Sequence, residues 1–127
     1  MRKGFTFDTG ALIALERGDQ RMRVVLRLAR ADSVPIVVPT VVLGEWWRGR
    51  SKVREAIVAS VIVEPLSEGL AKIAGEALAK VRGATFVDAV VMASAASRGD
   101  VVYTSDSGDL DRLWTHFAGV RRVLPAT

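Results

Sequence analysis

Five short, mostly apolar runs punctuate this chain, at residues 4–8, 34–39, 61–63, 101–104 and 120–124, and the stretches between them carry helical periodicity. A segment that repeats every two residues and one that repeats every 3.6 cannot exchange roles, so this alternation restricts the fold before any tertiary contact is considered. Runs such as Val34–Pro35–Ile36–Val37–Val38–Pro39 are apolar on both faces rather than alternately, which suits strands covered on both sides. The intervening segments 9–17, 22–29, 40–47, 51–60, 67–81, 85–97 and 108–117 predict helices. Thr40, Ser51 and Ser67 read as N-caps, Thr85 or Val87 opens the sixth helix, and Arg98-Gly99 stops it. In the fifth, Leu70, Ile73, Ala74, Ala77, Leu78 and Val81 form an apolar stripe. Strands and helices in alternation imply an α/β fold with a largely parallel five-stranded sheet.

At 127 residues, with no repeat, low-complexity tract or linker, the chain reads as a single domain, 1–127. Half its residues are hydrophobic (50%) and 25% are charged, enough apolar material for a core. The absence of cysteine excludes disulfides, thiolate metal sites and a cysteine nucleophile, and fits a cytoplasmic location. No apolar run approaches the ~18–20 residues of a membrane span, so no membrane association is expected. Met1-Arg2-Lys3 leads directly into the first strand rather than into a signal peptide. Lys and Arg number 18 against 14 Asp and Glu, a net charge of +4 and a pI near 10.1. If the acids gather in one pocket, the remaining surface is more basic than that net value, and a nucleic acid becomes a natural partner.

The acids do look gathered. Asp8 and Asp106 each end a strand-like run, while Glu45 and Asp88 fall on or beside apolar helix faces. Each has a simpler individual reading: Asp8 and Asp106 as helix N-caps, Asp88 as a first-turn acid, Glu45 as a partner of Arg48. Taken together, four acids that interrupt the hydrophobic pattern point to a shared cation, because buried carboxylates are normally paired or metal-bound. In parallel α/β sheets, ligands bind beyond the C-terminal strand ends, where Asp8 and Asp106 lie. Oxygen donors without histidine or cysteine suit Mg²⁺ or Mn²⁺, which would activate water and offset charge on a phosphodiester. The only histidine, His116, reads as structural or surface.

These residues resemble the PIN-domain ribonucleases, and in length and motif order the VapC-type toxins of toxin–antitoxin pairs. The likeness is carried by residues 7–15 (FDTGALIAL), 39–45 (PTVVLGE), 86–93 (FVDAVVMA) and 102–110 (VYTSDSGDL), in that order. It implies a three-layer α/β/α sandwich and Mg²⁺- or Mn²⁺-dependent endoribonuclease activity. By the same resemblance Asp8, Glu45, Asp88 and Asp106 are the catalytic and metal-binding acids, with Asp109 auxiliary. Thr9 and Ser105 are implied to steady the site or a substrate phosphate. Gly10, where serine is frequent, is a departure that removes one polar contact. The resemblance also implies a homodimer and an antitoxin whose C-terminal segment enters a groove near the acids, for which Trp46 and Trp47 are candidate linings. The basic groups Arg21, Arg23, Arg27 and Arg30, and Arg48, Arg50, Lys52 and Arg54, are candidates for phosphate contact.

Two other acid-collecting folds fail on their motifs. A response-regulator receiver needs an acidic pair after its first strand, where Asp8 stands single, and a dehalogenase-like phosphatase needs Asp-x-Asp, where this chain has Asp8-Thr9-Gly10. The remaining alternatives are a PIN-like module that binds RNA or protein without catalysis, and a PIN nuclease of RNA processing with no antitoxin.

Overall fold

The computed structural model describes residues 3–126, so the reading of Met1 and Arg2 lies outside the described residues. Five strands, β1 (Phe5–Phe7), β2 (Ile36–Pro39), β3 (Ile62–Glu64), β4 (Val101–Thr104) and β5 (Arg122–Pro125), form one sheet in the order β3-β2-β1-β4-β5. Every pairing is parallel. Seven helices connect the described strands: α1 (Thr9–Glu16), α2 (Gln20–Ala31), α3 (Thr40–Trp46), α4 (Lys52–Ala59), α5 (Glu68–Lys80), α6 (Phe86–Arg98) and α7 (Ser107–Trp114).

The layers follow from which residues are apolar. In α6 every residue from Ala89 to Ala95 is buried, because the helix lies between the sheet and α5. On the other face α1 buries Ala11, Leu12, Ala14 and Leu15 and packs against α2, α3 and α4. The alternation of β1 separates the two sides: Thr6 meets Arg98 of α6, whereas Phe5 and Phe7 pack edge-on against Tyr103. Phe7, Leu12, Met22, Met92 and Leu110 are among the fully buried side chains, each contributing about 1.5–3 kcal/mol. This is the three-layer α/β/α arrangement that the sequence implied.

The helix signals are largely confirmed. Ser51, Ser67 and Thr85 cap α4, α5 and α6 with their side-chain oxygens, and Gly99 ends α6 in the left-handed conformation at φ 74°. Thr40 is a correction. It is the first residue of α3, behind Pro39 at the N-cap, and its hydroxyl accepts instead from the Leu66 N–H at 3.2 Å. Ile73 belongs to the apolar stripe of α5 by spacing, yet it stands 49% exposed, beyond the reach of α6. The last helix starts at Ser107 and ends at Trp114, earlier than its periodicity indicated, and the chain continues to Phe117 in turns that bond back to Leu113.

Strand order matters most for function. The connection from β1 goes to β2 on one side, and β4 enters on the other, so the order reverses between β1 and β4. Ligand crevices of open α/β sheets form at such a reversal, beyond the carboxyl ends of the strands.

Candidate active site

Asp8 and Asp106 follow β1 and β4, the two strands that flank the reversal. Their roles as helix caps and as site acids turn out to be compatible. Asp8 accepts from the Ala11 N–H at 2.9 Å and opens α1, and Asp106 accepts from the Asp109 N–H at 3.4 Å and opens α7. A cap sits where a strand gives way to a helix, so the same local rule places a carboxylate at each strand end. Thr104 joins the two. Its hydroxyl hydrogen-bonds Asp8 and also accepts from the Asp106 N–H at 2.9 Å.

Asp88 lies in the first turn of α6, half-buried, with its N–H on the Thr85 hydroxyl at 3.1 Å. Glu45, at the end of α3, is exposed, and its carboxylate accepts a 2.6 Å hydrogen bond from the Thr9 hydroxyl. The pairing of Glu45 with Arg48 considered from sequence is absent among the described contacts; Arg48 donates instead to the Gly44 and Trp47 carbonyls. Thr9 therefore orients Glu45. Asp109 is held by Arg112 at 2.9 Å, and Arg112 also donates to the Arg82 carbonyl at 3.0 Å.

Electrostatics show how these groups relate. Burial, opposed by bonds from Thr104 and the Ala11 N–H, pushes the Asp8 carboxyl up from 3.8 to about 6, with the charge of Asp88 adding to the rise. Burial likewise raises Asp88, against the Thr85 hydrogen bond, and Asp109, Asp106 and Glu45 raise it further. Asp88 is thus the acid that feels all the others. Yet no three carboxylate or histidine side chains among the described residues stand close enough to form a coordination shell. The acids converge without closing. An all-oxygen donor set whose members repel one another still fits a divalent cation, because that charge relieves the repulsion.

The structure corrects the premise that all these acids are buried. Asp8 is buried, Asp88 is half-buried, and Glu45 and Asp106 are exposed. The most buried carboxylate is Asp100, at 1% exposure, and it belongs to a different cluster, bonded to Arg98, Thr6 and the Gly4 N–H. A buried acid can be answered by an arginine as well as by a metal. Its sequence signal was present in Arg98-Gly99-Asp100, a cation two residues before an acid at the start of a strand.

Thr104 was missed, although a threonine closing an apolar strand beside two site acids was its signal. The Gly10–Ser105 relation was not legible. A Cβ on Gly10 would lie 1.8 Å from Ser105 Oγ, 2.5 Å from its Cβ and 3.0 Å from its backbone nitrogen. The hydroxyl of Ser105 fills the space that a side chain at position 10 would need. Gly10→Ala would normally stabilise a helix by about 0.5–1 kcal/mol, but here overpacking costs about 1–3 kcal/mol, so a net loss is expected. Urea denaturation checks this; a raised midpoint would mean that the turn carrying Asp106 gives way freely, and adding Ser105→Gly should restore the loss.

Trp46 is buried and donates from Nε1 to Glu16 at 2.9 Å, while the half-buried Trp47 lines an apolar hollow with Leu43 and Val58. Of the basic candidates, Arg54 pairs with Glu16 at 2.8 Å and Arg50 with Glu55 at 3.5 Å, while Arg21, Arg23, Arg27 and Arg30 are exposed on α2. His116 is exposed and packs edge-on against Phe117, away from the acids' contacts, as expected.

Comparison with known proteins agrees with this geometry. The PIN domain family model matches residues 5–113. No curated protein is significantly similar in sequence. Among solved structures, a chain of the DNA-bound VapBC complex of Salmonella typhimurium superposes with a TM-score of 0.77 at 19% identity, covering 100% of both chains. A chain of promoter-bound VapBC2 from Rickettsia felis gives 0.72 at 11% identity, covering 95% of this chain and 97% of its own. VapC20 of Mycobacterium tuberculosis, a sarcin–ricin-loop-cleaving toxin, gives 0.65 at 29% identity, covering 85% of this chain and 93% of its own. With the matched model spanning the strands that carry Asp8 and Asp106, the chain belongs to the PIN-domain family.

Proposed function

We propose that this protein is a divalent-metal-dependent endoribonuclease, the VapC-type toxin of a toxin–antitoxin pair. The observation that carries the reading is the electrostatic convergence on Asp88 of Asp8, Glu45, Asp106 and Asp109 at the point where the strand order reverses. The likeness to VapBC chains and to an RNA-cleaving toxin supports it.

Asp8, Asp88, Asp106 and Glu45 would hold Mg²⁺ or Mn²⁺, with Asp109 auxiliary. When bound, such a cation activates water and offsets the charge that develops on the phosphodiester. The chain's own residues supply orientation. Thr104 fixes Asp8 and the backbone of Asp106, Thr9 fixes Glu45, and Arg112 fixes Asp109. Pre-set acceptors avoid reorganisation when the substrate arrives. Ser105, beside Asp106 and against Gly10, is placed to meet a phosphate. The partners proposed with this activity are an RNA substrate, a cognate antitoxin and a second copy of the chain, in the cytoplasm.

The open spacing of the acids favours one competitor, a module that binds RNA or protein without cleaving. Purified protein incubated with total cellular RNA, with Mg²⁺, with Mn²⁺ and with EDTA, separates them. The nuclease is expected to give fragments with either metal and none with EDTA. RNA left intact under all three conditions, together with RNA binding, would favour the module.

A further inference from the structure

Two hollows of about 470 Å³ each lie against α1. They share Ile13 and Arg17, so they join into one trough along the exposed side of that helix. One end reaches Gly10 and Ser105, next to Asp106; the other has Glu45 in its wall, with Arg48 and Arg54. The trough therefore runs past two of the site acids.

We propose that this trough carries the RNA strand through the site, with Arg17 and Arg48 as its phosphate contacts. The proposal rests on the nuclease reading above and adds the path of the substrate. The charges in the walls argue for it. Glu16 is committed to Arg54 and to Trp46 Nε1, and Asp19 caps α2 by accepting from the Met22 N–H at 3.0 Å. Among the described residues the Arg17 side chain has no ion pair or hydrogen bond, and Arg48 donates only to backbone carbonyls. Two guanidiniums without carboxylate partners thus face a trough whose other charges are already engaged. Guanidinium forks match phosphate oxygens in geometry and charge.

Position supports the same partner. The eight residues of α1 span about 12 Å. Arg17, directly after α1, is therefore set well along the trough from Gly10 and meets a different phosphate from the one at the acids. The arginines of α2 line a separate hollow with Leu26 and no site acid, so they provide an internal control of equal charge.

The test separates binding from chemistry by using the Asp8→Asn protein, which is not expected to cleave. Fluorescein-labelled single-stranded RNA of mixed sequence is titrated by fluorescence anisotropy over a range of salt concentrations. Adding Arg17→Gln and Arg48→Gln is expected to weaken binding about tenfold or more and to lower the log–log salt slope by about two, one per lost phosphate contact. Adding Arg27→Gln and Arg30→Gln instead should leave the affinity within about twofold. Unchanged binding in the first pair would overturn the trough as the RNA path and leave it to a protein partner. Equal losses in both pairs would overturn it in favour of diffuse surface charge. Neither result depends on cleavage, so the nuclease reading stands or falls separately.

Discussion

Replacing Asp8 with asparagine is expected to abolish RNA cleavage while making the metal-free fold more stable. The second effect follows from the environment of the side chain. Asp8 is buried beside Asp88, and its carboxyl is held at about 6 rather than 3.8. A carboxyl lifted in the folded state keeps its proton longer there than in the unfolded chain. Its contribution to stability is therefore greatest below pH 3.8, declines as pH rises through about 6, and stays low above that. The loss amounts to about 3 kcal/mol at neutral pH. Asparagine has no charge to lose and caps a helix as well as aspartate does, so the bond from the Ala11 N–H survives. The variant should gain up to that amount above pH 6 in urea denaturation with EDTA present, and should lack the wild type's decline between about pH 4 and 6.

Cleavage should fall in the same variant by more than the ~10–100-fold typical of losing a group behind a metal ligand, because a neutral amide replaces the ligand itself. Stability traded for function is what a site acid predicts. A structural aspartate would lose stability on the same substitution, and that result, or retained cleavage, would remove Asp8 from the proposed chemistry.

The second large effect concerns a part of the molecule that does no chemistry. Arg98→Met is expected to destabilise the fold by about 3–5 kcal/mol, since removing one partner of a buried ion pair strands the other. The guanidinium donates to Asp100 at 2.9 Å, Glu64 at 3.0 Å, Thr6 at 3.1 Å and Ser94 at 2.8 Å. It thereby ties the end of α6 to β1, β3 and the residue that opens β4. Asp100 is 1% exposed and has no water to fall back on. With total stabilities of about 5–15 kcal/mol, the single variant approaches unfolding. The double variant Arg98→Met with Asp100→Asn should recover part of the loss, because the uncompensated charge is gone. Urea midpoints measure both. A single-variant cost below about 1 kcal/mol would show that the network contributes little. Whatever Arg98→Met protein remains folded should still cleave RNA, which distinguishes this acid cluster from the one around Asp88.

Much of the fold was legible because its signals are local. Ser51, Ser67 and Thr85 announce helices within three residues, Gly99 ends one, and the run at Val101–Thr104 could be read as a buried strand from its own side chains. Asp8 and Asp106 were legible for the same reason, since a strand end that becomes a helix cap is a feature of a few consecutive residues. Boundaries slipped where a side chain served a distant partner, as Thr40 does for Leu66.

What the tertiary structure decided was adjacency. No periodicity states that β4 enters beside β1, yet that choice brings Asp106 to Asp8 and hangs both on Thr104. Nor does it state that Thr9 meets Glu45, that Ser105 occupies the space left by Gly10, or that Asp100 is buried on an arginine while Glu45 and Asp106 face solvent. The sequence alone determined which elements form and which acids stand at their ends, because hydrogen bonds and periodic burial within a segment suffice for that. Which acids face one another, and which are left to water, depends on contacts between residues up to about a hundred positions apart, and those exist only once the sheet has closed.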